Sequence, residues 1–409
     1  MHRMILATLT SGSLLLASAC GSDPSSSSAA AHLESKVSMA PQAGDVSFGD
    51  LAGGQRDLGH DLATHLTTDD GNLVFSPASL AIAFAMLREG AGGGTADEID
   101  QVIHLPANRQ AAYNALLHDL ADPGDGDVLE LNDALFLDPS LQVEQAYLET
   151  IKKWYDAGVE QTQFPEPALG DINGWVKDKT HGRIPRLIDQ LDPSSVFALV
   201  NTIYLNAKWQ QPFERSETSD SDFSTGGGTN MSVPFMHSTS TLDYAEGQGW
   251  QAVRLPYRGG EMSMWVLVPT GAAADPIDLL SSQTLAQAAD RFAPRAVGLS
   301  LPRWDTETTA DLTDLLRSLG MKATFDHGDF TALTSDPSFV VSQVLQQANI
   351  TVGEKGTEAA AASAIIGETS AIQPPEDLVE VNADHPFAFV VMHDPTGVPL
   401  FEGVVADPS

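Results

Sequence analysis

The run Glu354-Lys-Gly-Thr-Glu-Ala-Ala-Ala-Ala-Ser-Ala-Ile-Ile366 restricts most what this chain can fold into. Ile350-Thr-Val352 before it reads as strand, and Pro374 and Pro375 after it force extended backbone. Alanine favours helix across residues 358–364, yet the run lacks the apolar period that would bury a helix. Laid out as a strand, it points Thr357, Ala359, Ala361 and Ser363 to one face and Glu358, Ala360, Ala362 and Ala364 to the other. The first face is small enough to slide over a packed core, while Glu358 stays wet. Such a segment could enter a sheet as a new central strand, and while exposed it is an accessible protease substrate. The alternative is an alanine-rich mobile loop or short exposed helix with no special task.

The rest of the chain supplies a core for such a strand to enter. Of 409 residues, 42% are apolar and 19% charged, a globular composition. Acidic residues number 55 against 21 basic, a net charge of −34, which repels nucleic acid and argues against nucleic-acid binding. One cysteine excludes a disulfide framework and a CxxC zinc site.

That cysteine, Cys20, follows a short basic start and the apolar run Ile5–Ala19, too short to span a bilayer comfortably. Leu16-Ala-Ser-Ala-Cys20-Gly21 resembles a bacterial lipoprotein signal in which the cysteine is lipidated, although Ala17 stands where leucine is usual. The alternative is a plain secretory signal with an incidental cysteine. Residues 1–20 are thus expected to be a signal peptide, 21–45 a flexible Ser/Ala/Gly tether, and 46–409 one folded domain. Export across the cytoplasmic membrane follows, with the lipid anchor holding the domain in the periplasm, the outer membrane or at the cell surface.

Within the domain, residues 46–66 carry apolar positions at helical spacing, and 78–89 are apolar on nearly all faces, a helix buried in the core. Thr95 reads as the cap of the next helix, with Glu98 as its capping-box partner. Residues 143–156 and 171–180 also read as helices. Asn72–Phe75 and the continuous apolar run Val196–Leu205 read as strands, and 251–256/261–269 and 387–392/398–405 as hairpins. Helices come first and long antiparallel strands later, so the fold class is α+β.

Catalytic signatures are missing. There is no GxSxG, HExxH or P-loop. His60 and His65 would lie about 140° apart on a helix, unsuited to one metal. Asp122, Asp125 and Asp127 hold only fragments of a calcium loop and read as a solvated acidic turn. No enzyme activity, metal or cofactor is expected.

Six ordered motifs resemble the serpin family across nearly the whole domain. Gly-Thr-Glu-Ala-Ala-Ala at 356–361 is similar to the hinge of its inhibitory members. Asn72-Leu-Val-Phe-Ser-Pro-Ala-Ser79 resembles the strand and helix start beneath its main sheet, and Asn173–Ile184 its NxWVxxxTxGxI signature. Val200–Trp209 with Pro212-Phe213 resembles its central strand, while His385-Pro-Phe387 and Leu400-Phe-Glu-Gly403 resemble its C-terminal hairpin.

The resemblance implies three β-sheets, eight or nine helices and an exposed reactive loop. A target protease cleaves the loop, forms an acyl-enzyme, and is carried along as the loop inserts into the main sheet. Fifteen inserted residues span about 50 Å. A monomer forming a covalent 1:1 complex is expected, with a non-inhibitory serpin-fold binding or structural surface lipoprotein as the alternative. The implied hinge runs through Glu354, Gly356, Thr357, Glu358, Ala359, Ala360, Ala361 and Ala362. Ser76, Ser79 and Asn201 are expected to form a polar cluster where the strands part, Gly182 to allow close approach there, and Trp209 to pack near the hinge. Gln346 stands where many members have histidine; glutamine does not ionise, which argues against pH sensing by this cluster. Counting fourteen residues from Gly356 places the scissile bond between Ser370 and Ala371, within a window from Thr369 to Ile372. No Arg or Lys occurs from Gly356 through Glu380, which points to elastase-like or subtilisin-like serine proteases, with papain-like cysteine proteases as a second class.

Overall fold

The computed structural model describes residues 30–44, 46–66, 68, 71–271, 275–337, 339–357 and 377–409. Cys20, the segment Glu358–Ala362 and the Thr369–Ile372 window with Ser370 and Ala371 lie outside these described residues.

Nine α-helices occur among the described residues. They are α1 (Gly49–His65), α2 (Pro77–Arg88), α3 (Gly93–Val102), α4 (Arg109–Leu120), α5 (Gln145–Tyr155), α6 (Glu166–Lys179), α7 (Ser282–Arg291), α8 (Thr313–Leu319) and α9 (Ala323–Asp326). The all-round apolar sequence of α2 demands enclosure, and every residue from Pro77 to Leu87 is buried.

The enclosure is made by two sheets. The first, here called the main sheet, has seven strands in the order β1 (Ala31–Leu33), β4 (Val159–Gln161), β3 (Val128–Leu137), β5 (Phe197–Lys208), β13 (Gly356–Thr357), β12 (Gln343–Gly353) and β11 (Trp304–Asp311). The second runs β14 (Val379–Asn382), β10 (Ala293–Pro302), β7 (Asn230–Gly247), β8 (Trp250–Pro256), β9 (Met262–Pro269), β15 (Phe387–His393), β16 (Val398–Val405) and β2 (Leu73–Phe75), with β6 (Ser219–Ser224) on β7. Three sheets were expected. The two smaller ones are continuous here because β7, 18 residues long, pairs with β6 at one end and β8 at the other.

Alternation along each strand divides the core. Leu135, Leu199, Ile203, Val344 and Ala348 face α2 and the large core between the sheets. Ala134, Phe136, Ala198, Val200 and Leu345 face outward and are covered by Ala168, Ile172 and Val176 of α6. The expected helices, the β8–β9 and β15–β16 hairpins and the buried central strand β5 all lie where the sequence places them, give or take a few terminal residues.

Two expectations need correction. Thr95 does not cap α3, whose N-cap is Gly92. Thr95 is buried inside the helix and its hydroxyl accepts from the Asp329 amide at 2.9 Å, while Glu98 accepts from Ala323 and Thr324 amides. Both side chains are used to tie α3 to the 323–329 segment. Nor are residues 30–44 a free tether. They add β1 to the edge of the main sheet, antiparallel to β4, and the Ala40 amide donates to Lys153 O at 2.7 Å. The Ala43 amide donates to Asn114 Oδ1 at 3.1 Å, and Leu33 packs on the main core. Residues 31–43 are therefore tied to the folded domain.

Candidate functional site: an unfinished strand over a polar seam

Strands β5 and β12 are parallel neighbours, paired from Ala198↔Gln343 to Ile203↔Ala348. Beyond that point they diverge, and β13 occupies the gap. Its two residues pair antiparallel with both sides, Gly356 with Lys208 and Gly353, and Thr357 with Ala207 and Val352. β12 reaches this position by turning back on itself at Glu354-Lys355. β13 thus runs antiparallel to both strands, with Thr357 at its end nearer the β5–β12 pairing.

Side chains fix this hinge closely. A Cβ on Gly356 would lie 2.1 Å from Ala207 O, and the residue holds φ +148°, so only glycine fits here. Thr357 is 1% exposed, and its hydroxyl bonds the Tyr257 hydroxyl at 2.6 Å. The Tyr257 ring stacks on Trp209 at 4.6 Å, and Trp209 Nε1 donates to Gly353 O at 2.9 Å. Glu354 accepts from the Thr218 hydroxyl at 3.1 Å and lies 3.8 Å from Arg303, while its carbonyl receives the Phe213 amide. Burial pushes the Tyr257 phenol well above its ordinary range, so it is a neutral hydrogen-bonding group. Replacing Tyr257 with Phe leaves the buried Thr357 hydroxyl without its partner, a loss of about 1–3 kcal/mol. Hydrogen exchange at the Gly356 and Thr357 amides is expected to speed up by about tenfold as the hinge frays; unchanged exchange would show that Tyr257 does not hold it.

Lower in the seam, Asn201 and Gln346 are register partners on the two strands, and both face α2. Gln346 Nε2 donates to Asn201 Oδ1 at 2.7 Å and to Ser76 O at 2.9 Å, and its Oε1 accepts from the Ser76 amide at 3.2 Å. Ser76 is the N-cap of α2 and accepts from the Ser79 amide at 3.1 Å. Asn201 Nδ2 donates to both Ser79 Oγ and Asp133 Oδ1. The bonds join α2, β5 and β12 through one cluster.

Asp133, on β3 and in register with Asn201, was missed. Its signal was a lone acid beside the apolar run Ala134–Leu137 in a strand that must cross the core. Ser79 Oγ also donates to it at 3.4 Å. The residue keeps a partly exposed edge, but its carboxyl lies in low-dielectric surroundings that push it up to about 7. The argument against pH sensing drawn from Gln346 reached only that position, and Asp133 gives the cluster an ionisable member. Gly182 is corrected: a Cβ there would meet nothing within 4 Å, so it makes no close approach. Its φ of +80° instead serves the turn that ends α6. Tyr257 was the other omission; nothing in its sequence neighbourhood marks it.

The main sheet thus holds a two-residue strand at the head of a parallel seam that polar side chains close. The family model described as Serpin (serine protease inhibitor) matches residues 54–408. An uncharacterized serpin-like protein of Thermococcus kodakarensis is 32% identical over 357 residues, covering 85% of this chain and 84% of that one. Plasminogen activator inhibitor 1 of Neovison vison is 33% identical over 359 residues, covering 83% and 88%. The native-state crystal structure of the thermophilic serpin tengpin superposes with a TM-score of 0.85 at 24% identity, covering 93% of this chain and all of that one. The chain belongs to the serpin family, whose members are mostly protease inhibitors rather than enzymes and generally bind target proteases.

Proposed function

We propose that this serpin is a suicide-substrate inhibitor of elastase-like or subtilisin-like serine proteases, with papain-like cysteine proteases as a second target class. The observation that carries the reading is β13, an antiparallel start between two strands that are parallel to each other below it. Extending β13 downward exchanges one parallel ladder for two antiparallel ones, which pair slightly better per residue. The protease serine attacks the carbonyl carbon of Ser370, or of a neighbour within the Thr369–Ile372 window. The C–N bond to the next residue breaks, the amine leaves with a proton, and an ester joins the two proteins. Residues 358 onward, led by Glu358, Ala359, Ala360, Ala361 and Ala362, then follow Thr357 into the seam and carry the ester-linked protease away.

The test is incubation with elastase, subtilisin, chymotrypsin and trypsin, followed by denaturing electrophoresis. A 1:1 band surviving SDS with the first two supports the reading. If every enzyme clips the loop and departs active, the non-inhibitory binding or structural lipoprotein takes its place. We also infer that Cys20 carries a lipid anchor that holds the inhibitor at a membrane surface outside the cytoplasm. Cys20→Ser is expected to move the protein from the membrane fraction to the soluble one; equal partitioning of the two forms overturns the anchor.

A further inference from the structure

The polar cluster joins three strands and a helix, and its one ionisable member has no counter-ion among the described residues. Asp133 on β3 receives Asn201 and Ser79, Asn201 on β5 receives Gln346 of β12, and Gln346 is bonded to Ser76 at the start of α2. No cation faces Asp133 from any of these elements. β5 carries no acid or base from Phe197 to Ile203, and β12 carries none. The single charged residue of α2 is Arg88 at its far end, bonded to Asp100 at 2.8 Å. Along β3, Glu130 lies on the opposite face beside His181. Asp127, just before β3, accepts the Lys208 and Gly259 amides. The first turn of α2 offsets only part of a negative charge at Asp133.

We propose that Asp133 is a protonation-controlled latch on the seam, holding β5 against β12 when neutral and loosening it when ionised. The proposal rests on the seam being the path of loop insertion. A neutral Asp133 needs no counter-ion and still accepts from Asn201 and Ser79; the ionised carboxylate accepts from them more strongly, but the cost of its burial outweighs that gain. An ionised one is a poorly compensated charge whose relief is water, and water arrives when β12 parts from β5. Opening therefore favours the ionised form. In the closed seam the proton is held up to about pH 7, whereas a solvated carboxyl releases it near 3.8. Protonation thus stabilises the closed seam fully below 3.8, and that stability is lost as pH rises through 7.

The experiment is hydrogen exchange at the amides of residues 198–203 and 343–348 in the intact protein at pH 6 and pH 8, corrected for intrinsic rates. The opening equilibrium of the wild type is expected to rise about tenfold between these values. Asp133→Asn matches the protonated side chain in shape and is expected to give the same, low opening at both. Every other ionisable group is common to both proteins, so the difference between them isolates Asp133. Asp133→Ser removes the titration by a different route should the asparagine variant not fold. A wild type flat in pH, or variants that keep its slope, overturn the latch. A flat wild type that still traps protease leaves inhibition standing without the latch; a pH-dependent seam in a protein that traps nothing leaves the latch standing without inhibition.

Discussion

Cutting the reactive loop within the Thr369–Ile372 window is expected to raise the melting midpoint by roughly 10 °C or more. The reason is how the loop is tied. At one end, β13 is fixed by its ladders to β5 and β12. At the other, β14 pairs in parallel with β10 in the second sheet, from Val379↔Val297 to Asn382↔Ser300, with Val381 fully buried. A chain held at both ends cannot run down the seam without stripping β14 from β10. Cleavage frees the near end and leaves β14 in place, so the added antiparallel pairing becomes accessible for the first time. In a domain this large each kcal/mol moves the midpoint by about 2 °C, so such a rise reports several kcal/mol held back in the uncut fold. The measurement is calorimetry on intact and nicked protein at one pH. Equal midpoints would mean that the uncut sheet stores nothing, and no insertion mechanism survives that result.

How much of this was legible depended on whether an element announces itself locally. The helix α2 and the strand β5 could be read from the sequence because an uninterrupted apolar run has only one physical destination. The hinge could be read because Gly356 and the small residues behind it satisfy a demand no ordinary loop makes. The strand β1 could not: Ala31-His-Leu33 has no pattern of its own, and its three residues become strand only because β4 offers an open edge. Thr95 and Glu98 have the spacing of a capping box, but the 323–329 segment offers their oxygens better donors, and tertiary partners prevailed over a local rule. Asp133 and Tyr257 are functional only through what crosses over them, β5 and α2 in one case and Thr357 in the other. Pairing across 54, 68 and 100 residues is not written in local sequence, which around Asp133 shows only an acid beside an apolar run and around Tyr257 shows nothing. Gln346 could be read but Asp133, two hydrogen bonds away through Asn201, could not, so the argument against pH sensing rested on one position of the cluster.

On the proposed mechanism, Thr357→Glu is expected to give a protein that the protease cuts but that does not trap it. Thr357 is the first side chain of the loop inside the sheet, 1% exposed and bonded to Tyr257. In the uncut protein a carboxylate at this buried position, repelled by Asp127, whose charge is felt at Tyr257, is expected to lift β13 out of the sheet, so that the charge must be buried again before the loop can insert. Stranding a charge in this way costs about 3–5 kcal/mol. After cleavage two processes compete, insertion of the loop and hydrolysis of the ester, and only the first traps the protease. Each 1.36 kcal/mol placed on the insertion barrier slows it about tenfold, so insertion falls by roughly a hundredfold to several thousandfold while cleavage, which needs only an exposed loop, keeps its rate. At neutral pH the SDS-stable band should vanish and the clipped protein accumulate. Burial raises the pKa of the introduced carboxyl, so at acidic pH, where the protease still cuts, trapping should partly return relative to the wild type at the same pH. Thr357→Val, uncharged and similar in size, should trap throughout. A Thr357→Glu protein that traps like the wild type at neutral pH would mean that this side chain never has to be buried for the loop to pass. The seam between β5 and β12 would then not be its route.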